Sequence, residues 1–241
     1  MIVEICANSF ESAKAAQEGG ADRIELCSEL SVGGITPSFG LIEEVLSKLT
    51  IPIYVLIRPR SGNFTYSESE MDVMLKDIRQ CRKMGVSGIV SGALTSENDI
   101  DIEITKHLLV ASKEMDFTFH RAFDWTRDPK KSLKLLQQIE VKRILTSGQQ
   151  PTAFQGLKLL KELQLLSDRT IEIMPGGGIN LENVMAFKDA NFSSVHLSAT
   201  VKKQLLSEAP KVSMHSLAFF EEGVVATSDK EIIQKMRILI S

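Results

Sequence analysis

Residues 1–27 read MIVEICANSFESAKAAQEGGADRIELC, and this stretch decides the fold. It predicts a β-strand over residues 2–6 and a helix over residues 9–18 that begins at the N-cap Ser9. The pair Gly19-Gly20 ends the helix, and a second strand follows over residues 23–27. A strand, a helix and a strand in this order form a βαβ unit with parallel strands.

The same alternation of short apolar strands and amphipathic helices continues through the chain. The predicted strands cover residues 2–6, 23–27, 52–58, 88–91, 117–120, 143–147, 171–174 and 194–198. The predicted helices cover residues 9–18, 38–48, 68–84, 103–113, 129–138, 155–166, 181–189 and 229–240. Eight such units in 241 residues predict an α/β fold of the (β/α)8 TIM-barrel class, with residues 1–241 as a single domain. An open, doubly wound sheet shows the same alternation, but no G-x-G-x-x-G motif follows the first strand.

Composition argues against several classes of function. A formal net charge of −3, with 24% charged residues, disfavours a nucleic-acid-binding or membrane-surface protein. No run approaches the ~18 apolar residues of a membrane span, and the first residues lack the pattern of a signal peptide. Three cysteines do not make a disulfide framework. We therefore expect a cytoplasmic protein with reduced thiols.

Alternation along the strands directs an unusual set of side chains into the barrel, because residues two apart share a face. With the apolar residues placed against the helices, the inward set is Glu4, Cys6, Arg23, Glu25, Cys27, Glu172, Met174, His196 and Ser198. Ordinary barrel interiors are filled by Val, Ile and Leu, and unpaired buried charges are strongly unfavourable.

Arg58 and His120 end the third and fifth predicted strands. Barrel enzymes keep their active sites at the carboxyl ends of the strands, so Glu25, Arg58 and His120 are the predicted catalytic residues. Glu4 and Arg23 come earlier in their strands, and a purely structural ion pair is an equally good interpretation of these two.

Cys6 and Cys27 each follow a glutamate by two residues, near the ends of neighbouring strands. Because neighbouring strands lie about 4.8 Å apart, the two thiols are expected to face each other at the barrel mouth. Thiolates are soft ligands that select ions such as Cu(I), with Met174 or an imidazole as a further ligand. The alternative is that both cysteines are small apolar core residues, as we expect for Cys81.

Loops rich in glycine and arginine follow several strands. The run Gly176-Gly177-Gly178 comes after strand seven, where barrels often bind phosphate, although a tight turn also uses glycine. Arginines after strands three and five suit a carboxylate or a phosphate. The candidate ligand-binding residues are Arg58, Arg60, Arg121, Asp124, Ser147, Gly176, Gly177, Gly178 and His196.

In these residues the chain resembles the CutC copper homeostasis family, from residue 1 to about 200. The motifs that carry the resemblance are Glu4-Ile5-Cys6, Ala21-Asp22-Arg23-Ile24-Glu25-Leu26-Cys27, Gly33-Gly34-Ile35-Thr36-Pro37-Ser38, Arg58-Pro59-Arg60, Phe119-His120-Arg121-Ala122-Phe123-Asp124, Leu145-Thr146-Ser147-Gly148 and Gly176-Gly177-Gly178-Ile179. The resemblance implies a TIM barrel, a cytoplasmic location, copper bound by Cys6 and Cys27, and self-association, most simply as a dimer.

Two functions remain in competition. In the first, a copper homeostasis protein holds Cu(I) between Cys6 and Cys27 as a low-coordinate bis-thiolate. In the second, an enzyme (a lyase, isomerase or hydrolase) acts on a small phosphorylated or carboxylated molecule. Glu25 or His120 would then be its acid or base, with the anion held by Arg58 and Arg121.

Overall fold

The structure is a computed structural model, and it describes residues 1–208, 212 and 224–240. Its central feature is a sheet of eight parallel strands. They are β1 (Ile2–Ala7), β2 (Arg23–Leu26), β3 (Ile53–Leu56), β4 (Gly88–Ser91), β5 (Asp116–Phe119), β6 (Arg143–Thr146), β7 (Glu172–Pro175) and β8 (Ser194–Leu197). The strands pair in the order β7-β6-β5-β4-β3-β2-β1-β8, so β1 to β7 follow one another in chain order and β8 pairs with β1.

The sheet closes into a barrel between its two outer strands. One parallel bridge, between Gly176 and His196, joins the end of β7 to β8. The barrel is therefore nearly closed, and the predicted (β/α)8 TIM-barrel class is confirmed. The described residues form one such domain.

Helices alternate with the strands and cover the outside of the barrel. They are α1 (Phe10–Glu18), α2 (Phe39–Lys48), α3 (Glu68–Met84), α4 (Ile102–Ala111), α5 (Pro129–Gln138), α6 (Leu157–Leu166), α7 (Val184–Asp189) and α8 (Lys230–Ile240). The side chain of Ser9 caps α1, as predicted, and Pro129 occupies the first turn of α5. Helix α7 begins three residues later than predicted. No helix among the described residues is both long and apolar enough to cross a membrane.

An antiparallel hairpin that the sequence analysis did not predict separates β8 from α8. It consists of β9 (Thr200–Gln204) and β10 (Val224–Ser228), which pair with each other and with no other described strand. The hairpin packs on α1, where the backbone N–H of Ser228 donates a 3.0 Å hydrogen bond to Ser12 Oγ. Beyond the hairpin, α8 supplies the eighth helix of the barrel.

The strands divide the core into two environments. Apolar residues such as Val3, Ile5 and Ile24 are fully buried against the helices. Polar side chains fill the inside of the barrel, as the alternation predicts, and lead upward to the candidate site at the carboxyl ends of the strands.

Candidate functional site

Charged side chains inside the barrel form a paired network below the site. The guanidinium of Arg23 donates from Nε to Glu4, and Nδ1 of His196 lies 2.8 Å from Glu4 Oε1. Arg143 donates from Nε to Glu172 at 2.7 Å. Burial opposes ionisation of Glu4, but the hydrogen bond from His196 and the charge of Arg23 lower its pKa to about 2. This pairing supports the structural interpretation of Glu4 and Arg23.

Met174 belongs to this network and not to the thiol pair. Its sulfur accepts a hydrogen bond from Nη2 of Arg23 at 3.2 Å. The side chain considered as a further copper ligand is therefore engaged elsewhere, and His196 is the imidazole that lies near the cysteines.

The two cysteines come together above the network. Cys6 lies in β1 and Cys27 directly follows β2, and their Sγ atoms are 3.4 Å apart. Cys6 is 8% exposed and lines the cavity at the barrel mouth, while Cys27 is completely buried and does not line it. The hydrogen bond to Cys27, with burial, raises the pKa of the Cys6 thiol well above its usual value. Both cysteines are free thiols, and Cys81 is buried in α3 as expected.

Glu25 and His196 complete a compact group with Cys6. One ligand atom of each of these three buried residues lies within 4.8 Å of the other two. Burial raises the pKa of Glu25 to about 7, an effect that the charge of His196 opposes. Burial has the opposite effect on His196, but the charge of Glu25 and the hydrogen bond to Glu4 hold its pKa above the usual value. The group therefore contains a carboxyl that titrates near neutrality beside an imidazolium.

A cavity of about 880 Å³ opens above this group. The predicted site residues that line it are Cys6, Glu25, Arg58, His120, Arg121, Asp124, Gly177, Gly178 and His196. Four predicted site residues do not line it: Cys27, Arg60, Ser147 and Gly176. Arg60 turns away to pair with Glu70 in the first turn of α3.

Arg58 is held almost entirely by backbone carbonyls. Its Nη1 donates to Val32 O at 2.8 Å and to Gly34 O at 2.9 Å, and its Nη2 donates to Gly62 O at 3.4 Å. Arg58 is 4% exposed, and burial lowers its pKa. In the described part of the chain no carboxylate lies within ion-pair distance of it. Arg58 thus joins two loops at the mouth while its charge stays unneutralised.

His120 is a neutral hydrogen-bond donor in this fold. Its Nδ1 accepts a 3.3 Å hydrogen bond from the backbone N–H of Ala122, which leaves the ring proton on Nε2. Burial, with the charge of Arg58, lowers the pKa of His120 to about 3. An imidazole with such a pKa does not exchange protons readily at neutral pH.

Asp124 neutralises Arg121 and organises the loop after β6. Its Oδ2 accepts from Arg121 Nε at 2.8 Å and from Ser147 Oγ at 3.0 Å. Arg121 also donates to Ser147 Oγ at 2.9 Å, so Ser147 lies behind the cavity wall as a support. A Cβ added at Gly177 would lie 3.1 Å from Nη1 of Arg121. The triple-glycine run therefore lets the backbone approach this arginine closely.

Two aromatic residues at the cavity were not among the predicted site residues. Phe64 packs against His120 with ring centroids 4.8 Å apart, and Trp125 packs against Phe64 at 4.9 Å. Trp125, the single tryptophan of the chain, is half-exposed. Its position directly after Asp124 was the signal that sequence reasoning could have used.

Comparisons with known proteins agree on one family. A sequence model of the CutC family matches residues 1–201. A protein of Photorhabdus laumondii named family protein CutC is 43% identical over 230 residues, which cover 95% of this chain and 88% of the relative. One of Pasteurella multocida, with the same name, is 45% identical over 211 residues, which cover 87% of this chain and 86% of the relative. The crystal structure of CutC from Streptococcus agalactiae, described as a candidate copper homeostasis protein, has a TM-score of 0.78 and 34% identity, and the match covers 82% of this chain and 98% of that chain.

Proposed function

The chain belongs to the CutC family, and from this premise we propose that it binds Cu(I) through the thiolates of Cys6 and Cys27. The observation that carries the proposal is the 3.4 Å separation of their Sγ atoms. A metal–thiolate bond is about 2.3 Å long, so sulfurs less than about 4.6 Å apart can hold the same ion. Thiolates are soft ligands, which favours Cu(I) over hard cations.

The surroundings of the thiols suit the charge that such a site acquires. Two thiolates and one Cu(I) carry a net charge of −1, and the raised pKa of His196 keeps a positive charge beside them. His196 lies with Cys6 in the compact group described above, so this positive charge is close to the thiolates. Binding must displace the thiol protons, so we expect Cu(I) affinity to fall as the pH falls.

The proposal includes a cytoplasmic location and a dimer. A reducing compartment keeps all three cysteines as thiols, which the copper site requires. The dimer follows from the family resemblance alone.

A Cu(I) titration of the reduced protein against a competing chelator tests the copper site. We expect one ion per chain, and a loss of affinity of at least about 100-fold in the Cys6→Ser, Cys27→Ser double variant, because serine offers no soft ligand. Cys81→Ser is the matched control and should bind as the wild type does. Unchanged binding in the double variant would contradict the proposal.

A second candidate function is an enzyme that acts on a small anionic molecule. Five buried side-chain N or O atoms lack a hydrogen-bond partner among the described residues, and three of them belong to Glu25, Arg58 and His120. Buried polar atoms are rarely left unpartnered, and the 880 Å³ cavity is far larger than one ion needs. Glu25, with a pKa of about 7, is the acid–base candidate, so Glu25→Gln should abolish turnover and spare Cu(I) binding.

A further inference from the structure

The ionic groups around the cavity leave one positive charge without a counter-ion. Arg121 is paired with Asp124, and Nδ1 of His196 lies 2.8 Å from the carboxylate of Glu4. Arg58 is 4% exposed, yet within the described ranges it meets backbone carbonyls and no carboxylate. A buried cation without a counter-ion is strongly unfavourable. The cavity is therefore suited to one negative charge.

A neutral donor lies beside this charge. The proton of His120 is on Nε2, and that buried atom has no acceptor among the described residues. Arg58 and His120 both line the cavity, and the charge of Arg58 contributes to the low pKa of His120. Phe64 contacts Arg58 and His120. The Arg58 Cζ atom lies 4.8 Å from the centroid of the Phe64 ring, and the centroid of the His120 ring lies at the same distance from it.

We propose that the cavity binds a small organic carboxylate, whose oxygens accept hydrogen bonds from His120 Nε2 and the Arg58 guanidinium. The organic part packs against Phe64 and Trp125, which form the aromatic side of the cavity. A carboxylate fits better than a phosphate dianion, because only one cation is unneutralised.

This inference deepens the enzyme candidate by naming the class of its substrate, and it does not depend on copper. Binding of the carboxylate leaves the structural contacts of Arg58 intact, because Nη1 keeps its hydrogen bonds to the carbonyls of Val32 and Gly34. His120 acts in this arrangement as a hydrogen-bond donor, and the proton chemistry is left to Glu25.

Binding of benzoate to the metal-free protein tests the inference directly. Trp125 lines the cavity and is the chain's single tryptophan, so its fluorescence reports occupancy. We expect a saturable change with benzoate, and binding at least about tenfold weaker for benzamide, which has the same shape without the charge. Inorganic phosphate should also bind more weakly. The absence of saturable benzoate binding, equal binding of benzamide or tighter binding of phosphate overturns the inference.

Two variants at His120 separate its hydrogen bond from its bulk. His120→Phe keeps a ring and removes the donor, so benzoate should bind about tenfold or more weakly. His120→Gln keeps an N–H at a similar reach and should stay within about threefold of the wild type. Thermal melts of both variants confirm folding. Wild-type affinity in a folded His120→Phe protein overturns the inference.

The two proposals fail separately. Benzoate binding should survive in the Cys6→Ser, Cys27→Ser variant, and Cu(I) binding should survive in His120→Phe. If the wild-type protein binds Cu(I) but not benzoate, the carboxylate site is overturned and the copper site stands. If it binds benzoate but not Cu(I), the copper site is overturned and the carboxylate site stands.

Discussion

Burial raises the pKa of Glu25 and the neighbouring charge of His196 lowers it, and the effect of burial is the larger. An ordinary glutamate titrates near 4.5, whereas in this fold the pKa of Glu25 is about 7. Between these values the folded protein keeps a proton that the unfolded chain has released. Stability contributed by this group is therefore complete below about pH 4.5 and is lost as the pH rises to about 7.

Glu25→Gln should remove this dependence, because glutamine cannot ionise. We expect the variant to be about 1–3 kcal/mol more stable than the wild type at pH 8, and nearly equal to it at pH 4.5. Urea unfolding at both pH values measures the difference. Glu43→Gln, on an exposed part of α2, is the control and should have no effect. A variant less stable than the wild type at pH 8 would mean that the carboxylate is held charged.

Single side chains also mark how far the sequence could predict the site. Alternation directed Glu4, Cys6 and Glu25 inward because these residues lie within strands whose geometry fixes the direction of every second side chain. This alternation of side-chain direction applies only within a strand. β3 stops at Leu56, so Arg60 lies in a loop, where a partner ten residues further along determines its direction.

At the scale of elements, the short helical turn after β5 is tied to β6 through one carboxylate. Asp124 is almost fully buried and accepts hydrogen bonds from Thr146, Ser147 and Gln149 in addition to Arg121. Asparagine has one acceptor oxygen, and its NH₂ group would face these donors. The order of this part of the mouth therefore depends on a charged group at position 124.

Asp124→Asn should cost about 2–4 kcal/mol, since several buried donors lose their acceptor together. Asp128→Asn is the matched control, because asparagine is as good an N-cap for α5 as aspartate. Urea unfolding of both variants at pH 7 measures the costs. Equal costs would show that the second oxygen of Asp124 contributes little.

The β9–β10 hairpin shows what element prediction missed. Its strands pair with each other outside the barrel sheet, and β9 contains two adjacent lysines. Period-two alternation, the signal that identified the barrel strands, reflects burial of one face on a core. A strand that pairs only with its hairpin partner carries little of that signal.

At the scale of the whole molecule, the contact between β7 and β8 is the weakest part of the barrel wall. The sequence predicted eight strands and their closure, but not that a single bridge would join β7 to β8. That pairing depends on Gly176, because a Cβ there would lie 2.5 Å from Leu145 Cδ1 and 3.2 Å from His196 Cβ. No local sequence pattern distinguishes Gly176 from a glycine that a turn requires, because the residues that crowd it, Leu145 and His196, are distant in the chain.

Gly176→Ala should destabilise the protein by about 1–3 kcal/mol through this crowding. Gly40→Ala, in α2 with open space around the added Cβ, should instead stabilise it by about 0.5–1 kcal/mol. Thermal melts of the two variants compare them. Similar melting temperatures for both would show that the barrel wall yields without cost.

The paired network of Glu4, Arg23, His196, Arg143 and Glu172 fills the barrel below the cysteines. In the part of the chain that the structure describes, the cavity at the carboxyl ends of the strands opens next to Cys6, so an ion held by Cys6 and Cys27 would enter and leave through it. A carboxylate in that cavity would stand in the exit path and lengthen the residence time of the copper. Any protein that delivers or removes the ion would have to approach from this same face, and only while the cavity is free.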